Sequence, residues 1–449
     1  MELLFGVSDF GKIKHAEVVL GDFTLFVGDN NSGKPFMMQL LYGVLIELGN
    51  VEPTVNGIET QGENELVYGA EWLKDMETRA NDYLSEKRAH IYAADVKGHK
   101  QRRRSGILFH YHPDRRTLRR VLASQIWRMI SFLGKSVRGV NGDLLFLPAS
   151  RTGLQLLSKY FFAERDRKAV SEISILDFGD EDDKVNQEVT ENELGLTMPV
   201  YDFLQFLLRY NQRAEMDRRN GGLLEFIERH LIDGQVKHLG DEIYYRPDAL
   251  QDDRKDIPVY LASSLVNEIT PIIKALSGRF NYRYIFYDEV ETCLHPLKQG
   301  EMARLIIRLV NSGKRMIVST HSDTMACKLN NLLLLSFSED SEEIREKKLN
   351  ELGLSEEDLL SDAKVHVYQF VNQKDGSSHV EELKFQRMPY IGYDFNLFTR
   401  NLDELYHETD KKVCFRCAGK DMSFTFDVRI SGKRDKEEYH YRLICNHIL

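Results

Sequence analysis

Three short stretches of the sequence place chemically active side chains directly after apolar runs. They are the loop Gly28-x-x-x-x-Gly33-Lys34, the adjacent carboxylates Asp288 and Glu289, and the imidazole of His321. Each apolar run has the length and the flanking turn residues of a buried strand. Because parallel strands point their carboxyl ends at one edge of a sheet, the pattern predicts that these groups share one crevice.

The loop has the chemistry of a phosphate site. Its glycines let the backbone curl so that successive N–H groups face inward, and the helix that follows contributes its positive end. Lys34 adds a mobile charge for the terminal phosphates. The residues predicted to contact the phosphates are Gly28, Asn30, Asn31, Ser32, Gly33, Lys34 and Pro35.

Pro35 stands where this loop pattern normally has Ser or Thr, whose hydroxyl is a ligand of Mg²⁺. Proline has neither a hydroxyl nor a backbone N–H, although it fits the first turn of a helix. The substitution predicts that phosphate binding is retained and leaves open whether the phosphate is cleaved.

The remaining site residues follow from their positions at the ends of the predicted elements. We expect Asp288 to align Mg²⁺ through its water shell, Glu289 to accept a proton from the attacking water, and His321 to reach a γ-phosphate. Arg151, after the apolar run LLFLP, either meets a phosphate or its metal or pairs with a neighbour. Ser263 and Ser264 precede a helix, where they form a second anion-binding end or a simple cap.

Composition sets the class of protein. A chain of 449 residues with 42% hydrophobic and 29% charged residues is typical of a globular protein with more than one lobe. Its net charge of −10 argues against a protein that coats nucleic acid with its whole surface. Five cysteines, no apolar run of about 20 residues and no apolar leader predict a cytoplasmic location without a membrane span.

The element pattern predicts an α/β fold with a helical insertion and a small C-terminal α+β appendage. Residues 1–50 hold the phosphate loop, 51–140 are a basic helical insertion, and 141–335 complete the core with a helical region at 155–250. Residues 336–410 add a helix and a hairpin that turns at Asp375-Gly376, and 411–449 form a cysteine-containing tail. The run LLLLSFS at 332–338 is predicted to be a strand.

Two further features have open interpretations. The basic block at 97–138 either contacts a nucleic-acid backbone or an acidic protein, or is a solvated face that pairs with the acidic stretch at 177–193. In the tail, Cys414, Cys417, Cys445 and His447 supply four potential zinc ligands, although the spacing of the second pair is tighter than usual.

Five segments, GDNNSGK, LPASR, ASSLVNE, the DE pair with CLHP, and STHSD, occur in the order found in ABC-type ATPases. Over residues 1–390 the chain most resembles the stand-alone bacterial AAA-family ATPases of the OLD and SMC-like branch, which are often encoded in antiviral defence operons such as Septu, retron and PARIS. The resemblance implies a P-loop ABC-type ATPase head, a mixed sheet flanked by helices, that uses ATP and Mg²⁺. It also implies a head-to-tail dimer or larger oligomer in which Ser263 and Ser264 reach the nucleotide held by Lys34 of the other subunit. The turn Leu294-His295-Pro296 would lie at that interface, with His321 as the switch histidine.

The implied function is that of an ATPase subunit that controls or scaffolds an effector protein from the same operon in antiviral defence. Pro35, and Leu265 in place of a common glycine, depart from the family pattern and predict slow turnover. One alternative is a DNA-repair ATPase that holds duplex through the basic block, but the long heptad arms of chromosome-structure ATPases are not visible. Another is a nucleotide-sensing scaffold that does not hydrolyse ATP.

Overall fold

The structure is a computed structural model that describes part of the chain. The described residues are 2–48, 58–60, 66–68, 75, 78–79, 82, 106–112, 144–158, 196–208, 218–239, 242–248, 256–278, 280–338, 340–360, 363–386, 392–395, 423–431 and 438–446.

The strands are β1 (Glu2–Phe10), β2 (Ile13–Leu20), β3 (Phe23–Gly28), β4 (Ile58–Thr60), β5 (Leu66–Tyr68), β6 (Gly106–His112), β7 (Leu144–Leu147), β8 (Gly234–Leu239), β9 (Glu242–Pro247), β10 (Ile257–Pro258), β11 (Tyr284–Tyr287), β12 (Arg315–Thr320), β13 (Val365–Asn372), β14 (Ser378–Leu383), β15 (Ser423–Ser431) and β16 (Glu438–Asn446). The α-helices are α1 (Lys34–Leu48), α2 (Met198–Leu208), α3 (Gly221–Phe226), α4 (Ser264–Ser277), α5 (Pro296–Asn311), α6 (Asp323–Ser336) and α7 (Glu342–Leu352). A π-helix covers Ile227–Ile232, 3₁₀ turns cover Val259–Leu261 and Glu356–Asp358, and residues 151–158 are helical.

The largest sheet formed by the described residues has nine strands in the order β6-β1-β2-β14-β13-β3-β12-β11-β7. Strands β13, β3, β12, β11 and β7 run parallel to one another. The β13–β14, β1–β2 and β1–β6 pairs are antiparallel, and β14 joins β2 in parallel. The mixed sheet flanked by helices is therefore confirmed, and the carboxyl ends of five strands meet at one edge.

Helix α1 packs its apolar residues against one face of this sheet. The ring of Tyr42 lies 5.5 Å from that of Phe146 on β7 and 5.6 Å from that of Phe286 on β11, each in an edge-on arrangement. All three side chains are almost fully buried. Removing one such aromatic ring typically costs about 3–5 kcal/mol of stability. The packing fixes the start of α1, and with it the phosphate loop, over the parallel strands.

The run LLLLSFS is not a strand, so that prediction is wrong. Its leucines belong to α6, where Leu329, Leu332 and Leu333 are buried at helical spacing. Ser322 caps the start of this helix, since its Oγ accepts a hydrogen bond from Met325 N at 3.2 Å. Four consecutive leucines suit a buried helix as well as a buried strand, and the cap decides between them.

The predicted hairpin of β13 and β14 is confirmed, with its turn at Asp375 and Gly376, where the glycine has φ +81°.

The chain divides into two compact units, Met1–Asp394 and Phe395–Leu449. In the second unit the structure describes an antiparallel hairpin of β15 and β16.

Within the predicted helical insertion at 51–140, the described residues include β4, β5 and β6, and β6 pairs with β1 in the main sheet. That insertion is therefore not wholly helical. Most of the basic block at 97–138 lies outside the described residues, and the domain boundaries remain predictions. Among the described helices, none combines the length and the apolarity that crossing a bilayer requires.

Candidate functional site

The phosphate loop, Gly28–Lys34, joins the end of β3 to the start of α1 as the sequence predicts. Gly28 has φ +137°, and a Cβ at this position would lie 2.1 Å from the carbonyl oxygen of Phe370 on β13. Gly33 has φ +97°, and Asn31 adopts a left-handed conformation with φ +57°. Gly28 is therefore required by the close approach of β13, and Gly33 by the backbone conformation.

The ammonium of Lys34 lies inside the loop and donates to the loop and to His321, which directly follows β12. Its Nζ is 2.8 Å from the carbonyl oxygens of Gly28 and Asp29, 3.3 Å from Ser32 Oγ and 3.2 Å from His321 Nδ1. Burial lowers the pKa of Lys34 to about 8, against the opposing effect of nearby carboxylates, first of all Asp288. The ammonium of Lys34 is thus fixed near the carboxyl end of β3, and it binds its proton less tightly than an exposed lysine does.

Pro35 occupies the first turn of α1 without disturbing it. The first intrahelical bonds do not involve its nitrogen, since Met37 N donates to Gly33 O at 2.9 Å. The N–H groups of a first helical turn have no partner inside the helix, so proline costs the helix nothing here. What it removes is a hydroxyl and an N–H that other phosphate loops offer.

The carboxylate turn, residues 288–294, follows β11 and is fixed by Ser319 on the neighbouring strand β12. Ser319 Oγ donates to Asp288 Oδ1 at 2.6 Å and accepts from Glu289 N at 2.8 Å. Glu289 has φ +44°, a strained conformation for a residue with a side chain. One serine therefore holds the carboxylate of Asp288 and the main chain of Glu289.

The two carboxylates have opposite pKa shifts. Burial raises the pKa of Asp288, which is 4% exposed, although the Ser319 hydrogen bond works against this. The hydrogen bond with His321 lowers the pKa of Glu289, which is partly exposed. A buried carboxylate with a raised pKa is one that a nearby cation would stabilise in its charged form.

His321 connects Lys34 with Glu289. Its Nδ1 faces the lysine at 3.2 Å and its Nε2 lies 3.3 Å from Glu289 Oε1, while its backbone N donates to Glu291 Oε1 at 2.5 Å. Since an ammonium can only donate, Nδ1 accepts and Nε2 carries the proton that faces Glu289. The structure thus joins an ammonium, an imidazole and a carboxylate in one hydrogen-bonded row.

The donor set suits Mg²⁺ bound together with phosphates. The cation prefers oxygen ligands, commonly takes one or two carboxylates from the protein, and retains waters and phosphate oxygens in the remaining positions. Asp288 offers such a carboxylate, buried and beside the phosphate loop. Because Pro35 supplies no hydroxyl, water would have to fill the position that it leaves.

Arg151 is brought to the carboxylate turn, but its guanidinium points at protein groups. Nη1 donates to Pro148 O at 2.9 Å and to Asp288 O at 2.6 Å, and Nη2 donates to Glu289 O at 3.1 Å. Nε forms an ion pair with Glu268 at 2.7 Å. Of the two roles open at the sequence level, the contacts correspond to pairing with neighbours.

Ser263 and Ser264 lie at the start of α4, where the sequence places them, and both are exposed. Ser263 is the N-cap, because its Oγ accepts from Val266 N at 3.4 Å. The contacts described for Ser263 are with its own helix, so nothing within one chain tests a role toward a nucleotide.

Three residues that the structure places at the site were not predicted from the sequence motifs. Ser319 holds the Asp288 carboxylate and the main chain of Glu289, Glu291 accepts from the His321 backbone, and Glu268 pairs with Arg151. For Ser319, its position as a polar residue inside the apolar run of β12 was a sequence signal. The other two depend on contacts between distant segments, which no local pattern reveals.

The predicted zinc site remains a prediction. Cys414, Cys417 and His447 lie outside the described residues, and Cys445 belongs to β16. Within the part of the chain that the structure describes, no group of three or more His, Cys, Asp or Glu side chains could hold a metal ion.

Comparison with protein families finds one match. Residues 172–326 match the model of the AAA ATPase domain. The matched segment includes α4, the carboxylate turn and His321, and it does not reach the phosphate loop. A comparison with curated proteins finds no match.

Comparison with solved structures finds SMC heads and an ABC cassette. The SMC head domain of Thermotoga maritima is 13% identical, with 86% of this chain and all of that chain covered at a TM-score of 0.35. The Pyrococcus furiosus SMC head bound to the C-terminal domain of ScpA is 12% identical, with 90% and 100% covered at 0.34. An ATP-binding cassette of an ABC transporter in its ADP conformation is 11% identical, with 91% and 99% covered at 0.33.

Proposed function

We propose that the chain is an ATPase that binds ATP and Mg²⁺ at the phosphate loop. Lys34 holds the terminal phosphates, Asp288 takes the metal through its water shell, and Glu289 is the base. The observation that carries the proposal is the row Lys34–His321–Glu289, which joins the carboxyl ends of β3, β12 and β11. The AAA ATPase match over 172–326 supports the same class of chemistry.

The contacts indicate how a nucleotide would be received. The Lys34 ammonium is satisfied by two carbonyl oxygens and an imidazole, and a phosphate would compete for it as a charged acceptor. Once the lysine turns to phosphate, His321 Nδ1 is released and the imidazole can contact the γ-phosphate. Glu289, freed from His321, can then accept the proton of the attacking water. Bound Mg²⁺ would offset the charge that develops on the phosphate oxygens.

The first test measures ATP binding and hydrolysis by the full chain. Lys34→Ala is expected to weaken ATP binding by at least about tenfold, since it removes the charged phosphate donor. Lys347→Ala is the matched control, because Lys347 is an exposed lysine on α7 and its loss should change neither quantity. Equal ATP affinity in the parent and the Lys34→Ala variant would refute the proposed site.

The second test addresses Pro35. Pro35→Thr restores a hydroxyl at the position that normally binds Mg²⁺, and we expect turnover to rise while ATP affinity changes little. Equal turnover in both proteins would show that the hydroxyl is dispensable here. Tight ATP binding without measurable turnover in either protein would favour the non-hydrolysing scaffold.

The biological role is proposed from the resemblance described above. The chain would form a dimer or larger oligomer in which Ser263 and Ser264 of one subunit face the nucleotide of the other. It would control or scaffold an effector from the same operon in antiviral defence. Copurification with the products of adjacent genes, followed by nucleotide analysis of the complex, tests this role. Salt-sensitive DNA binding that is lost on neutralising Arg102, Arg103 and Arg104 would favour the DNA-repair alternative instead.

A further inference from the structure

A buried ion pair connects helix 151–158 to α4. Arg151 Nε lies 2.7 Å from Glu268 Oε2, and the two side chains are 0% and 3% exposed. The other carboxylate oxygen of Glu268 accepts from Thr152 N at 3.2 Å and from Thr152 Oγ1 at 2.7 Å. Both carboxylate oxygens of Glu268 therefore contact the first residues of helix 151–158.

The same guanidinium holds the carboxylate turn from the other side. Its Nη1 and Nη2 donate to the carbonyl oxygens of Asp288 and Glu289, two consecutive residues, at 2.6 Å and 3.1 Å. The guanidinium also lies over the ring of Tyr287, with its carbon 4.7 Å from the ring centroid. Because the guanidinium is a rigid planar fork, displacing Glu268 would displace the main chain that carries both carboxylates.

A second contact joins helix 151–158 to the start of α4. Gln155 Nε2 donates to Asn267 Oδ1 at 3.3 Å. The amide nitrogen of Asn267 donates to the carbonyl oxygens of Ala262 and Ser263, each at 3.2 Å. The signature segment, Ala262–Glu268, is therefore tied to helix 151–158 at two adjacent residues, Asn267 and Glu268.

We propose that Arg151 and Glu268 are positioning residues that couple the signature segment to the carboxylate turn. This inference rests on the proposed function. In a head-to-tail dimer, the signature segment of a subunit serves the partner's nucleotide, while its carboxylates serve its own. The ion pair would then transmit a displacement of Ser263, on closure over one nucleotide, to Asp288 and Glu289 beside the other.

Two considerations favour coupling over simple stabilisation. A buried ion pair is often no more stabilising than apolar side chains of the same volume, because both charges lose their hydration. In addition, apart from the hydrogen bond from Arg151 to Pro148 O, the charge-assisted contacts described for this pair end on the carboxylate turn, on the start of helix 151–158, or on the other member of the pair. The pair therefore lies directly between the two functional segments.

The test compares Glu268→Gln with a matched control in the full chain. Glutamine keeps the shape and an acceptor for Thr152 but loses the charge that orients Arg151. We expect kcat for ATP hydrolysis to fall by about tenfold or more while the affinity for ATP stays within about twofold of the parent. Asp358→Asn is the control, because Asp358 is another buried carboxylate paired with arginines, Arg304 and Arg308, away from the carboxylate turn. At a temperature where both variants are folded, the control should retain kcat.

Two results would overturn the coupling. One is a kcat for Glu268→Gln that is no lower than that of Asp358→Asn. The other is a loss of ATP affinity in Glu268→Gln as large as its loss of kcat, because that would place the pair in phosphate binding. Arg151→Lys, which keeps the charge but not the fork, should reproduce the fall in kcat.

Hydrogen exchange separates a failure of the coupling from a failure of the proposed function. In the parent, added ATP should raise protection of amides both at 262–268 and at 288–291. In Glu268→Gln, protection at 262–268 should still rise, because that segment closes over the partner's nucleotide, while the response at 288–291 is reduced. If the parent shows no response to ATP at either segment, the proposed function fails. If the parent responds and Glu268→Gln responds equally at both segments, the coupling alone fails.

Discussion

Binding of a nucleotide is expected to take up a proton at mildly alkaline pH, because Lys34 is buried. The side chain is 1% exposed, and burial lowers its pKa from 10.5 to about 8. Bound phosphate would place negative charge beside the amine and raise that pKa again. Above pH 8, therefore, the amine must gain a proton when phosphate binds, whereas at neutral pH it already has one.

The size of the effect follows from the pKa. With a pKa of about 8, roughly three quarters of the Lys34 amines are neutral at pH 8.5 and about a tenth at pH 7. Binding should therefore take up roughly 0.75 proton per site at pH 8.5 and about 0.1 at pH 7. Above pH 8, the affinity should fall by up to about tenfold per pH unit.

Isothermal titration calorimetry in buffers with different ionisation enthalpies measures this uptake directly. Lys34→Arg provides the control, because the guanidinium keeps its charge throughout this range and should show no uptake. Equal uptake at pH 7 and pH 8.5 in the parent would contradict a lowered pKa for Lys34. Uptake at pH 8.5 that persists in Lys34→Arg, while that variant still binds ATP, would show that Lys34 does not take up the proton.

Three other predictions follow from the contacts. Glu289→Gln should leave ATP binding intact and accumulate the ATP-bound dimer, which light scattering after size-exclusion chromatography would detect. Gly28→Ala should lower the melting temperature and abolish ATP binding, because its Cβ would lie 2.1 Å from Phe370 O. Asp358 has a pKa lowered to about 2, chiefly by hydrogen bonds from Arg304 and Arg308 that outweigh its burial. Its contribution to stability is present above about pH 4 and lost as the pH falls through 2, so acid unfolding of Asp358→Asn should be less steep in that window.

The sequence predicts the elements of the site well because their signals are local. β3, the phosphate loop and α1 follow one another within 26 residues, Phe23 to Leu48, and the glycines mark the turn. β11 and β12 are short apolar runs that end in functional side chains. Strands buried on both faces read as continuous apolar sequence, so these two could be identified without knowledge of their neighbours.

What the sequence does not reveal are the contacts between distant segments. The ion pair of Arg151 and Glu268 joins residues more than a hundred positions apart, and it exists only because helix 151–158 packs beside α4. The pairing of β6 with β1 is likewise a contact between distant segments of the chain. Such contacts depend on the order of strands and the packing of helices, whereas composition and periodicity report only local preference.

The role of Arg151 illustrates the difference. At the carboxyl end of β7 it has the position and the charge of a phosphate ligand, and position alone favours that role. The structure places Pro148 O, Asp288 O, Glu289 O and the Glu268 carboxylate within reach of its guanidinium. A guanidinium with so many acceptors has few donors left, so under the proposed function Arg151 would act on a nucleotide only through the carboxylate turn.

The arrangement around Lys34 has a consequence for catalysis as well as for binding. A phosphate that enters must replace the contacts of the ammonium with Gly28 O, Asp29 O and His321. Only the loss of the last of these changes the partner of Glu289, since His321 Nε2 lies 3.3 Å from its carboxylate. As long as the hydrogen bond with His321 is present, the pKa of Glu289 is lowered and the Glu289 carboxylate is a poor proton acceptor. In the proposed function, capture of the phosphate by Lys34 would therefore be linked to release of Glu289 as the base, and a ligand that leaves the Lys34–His321 contact intact would not free Glu289.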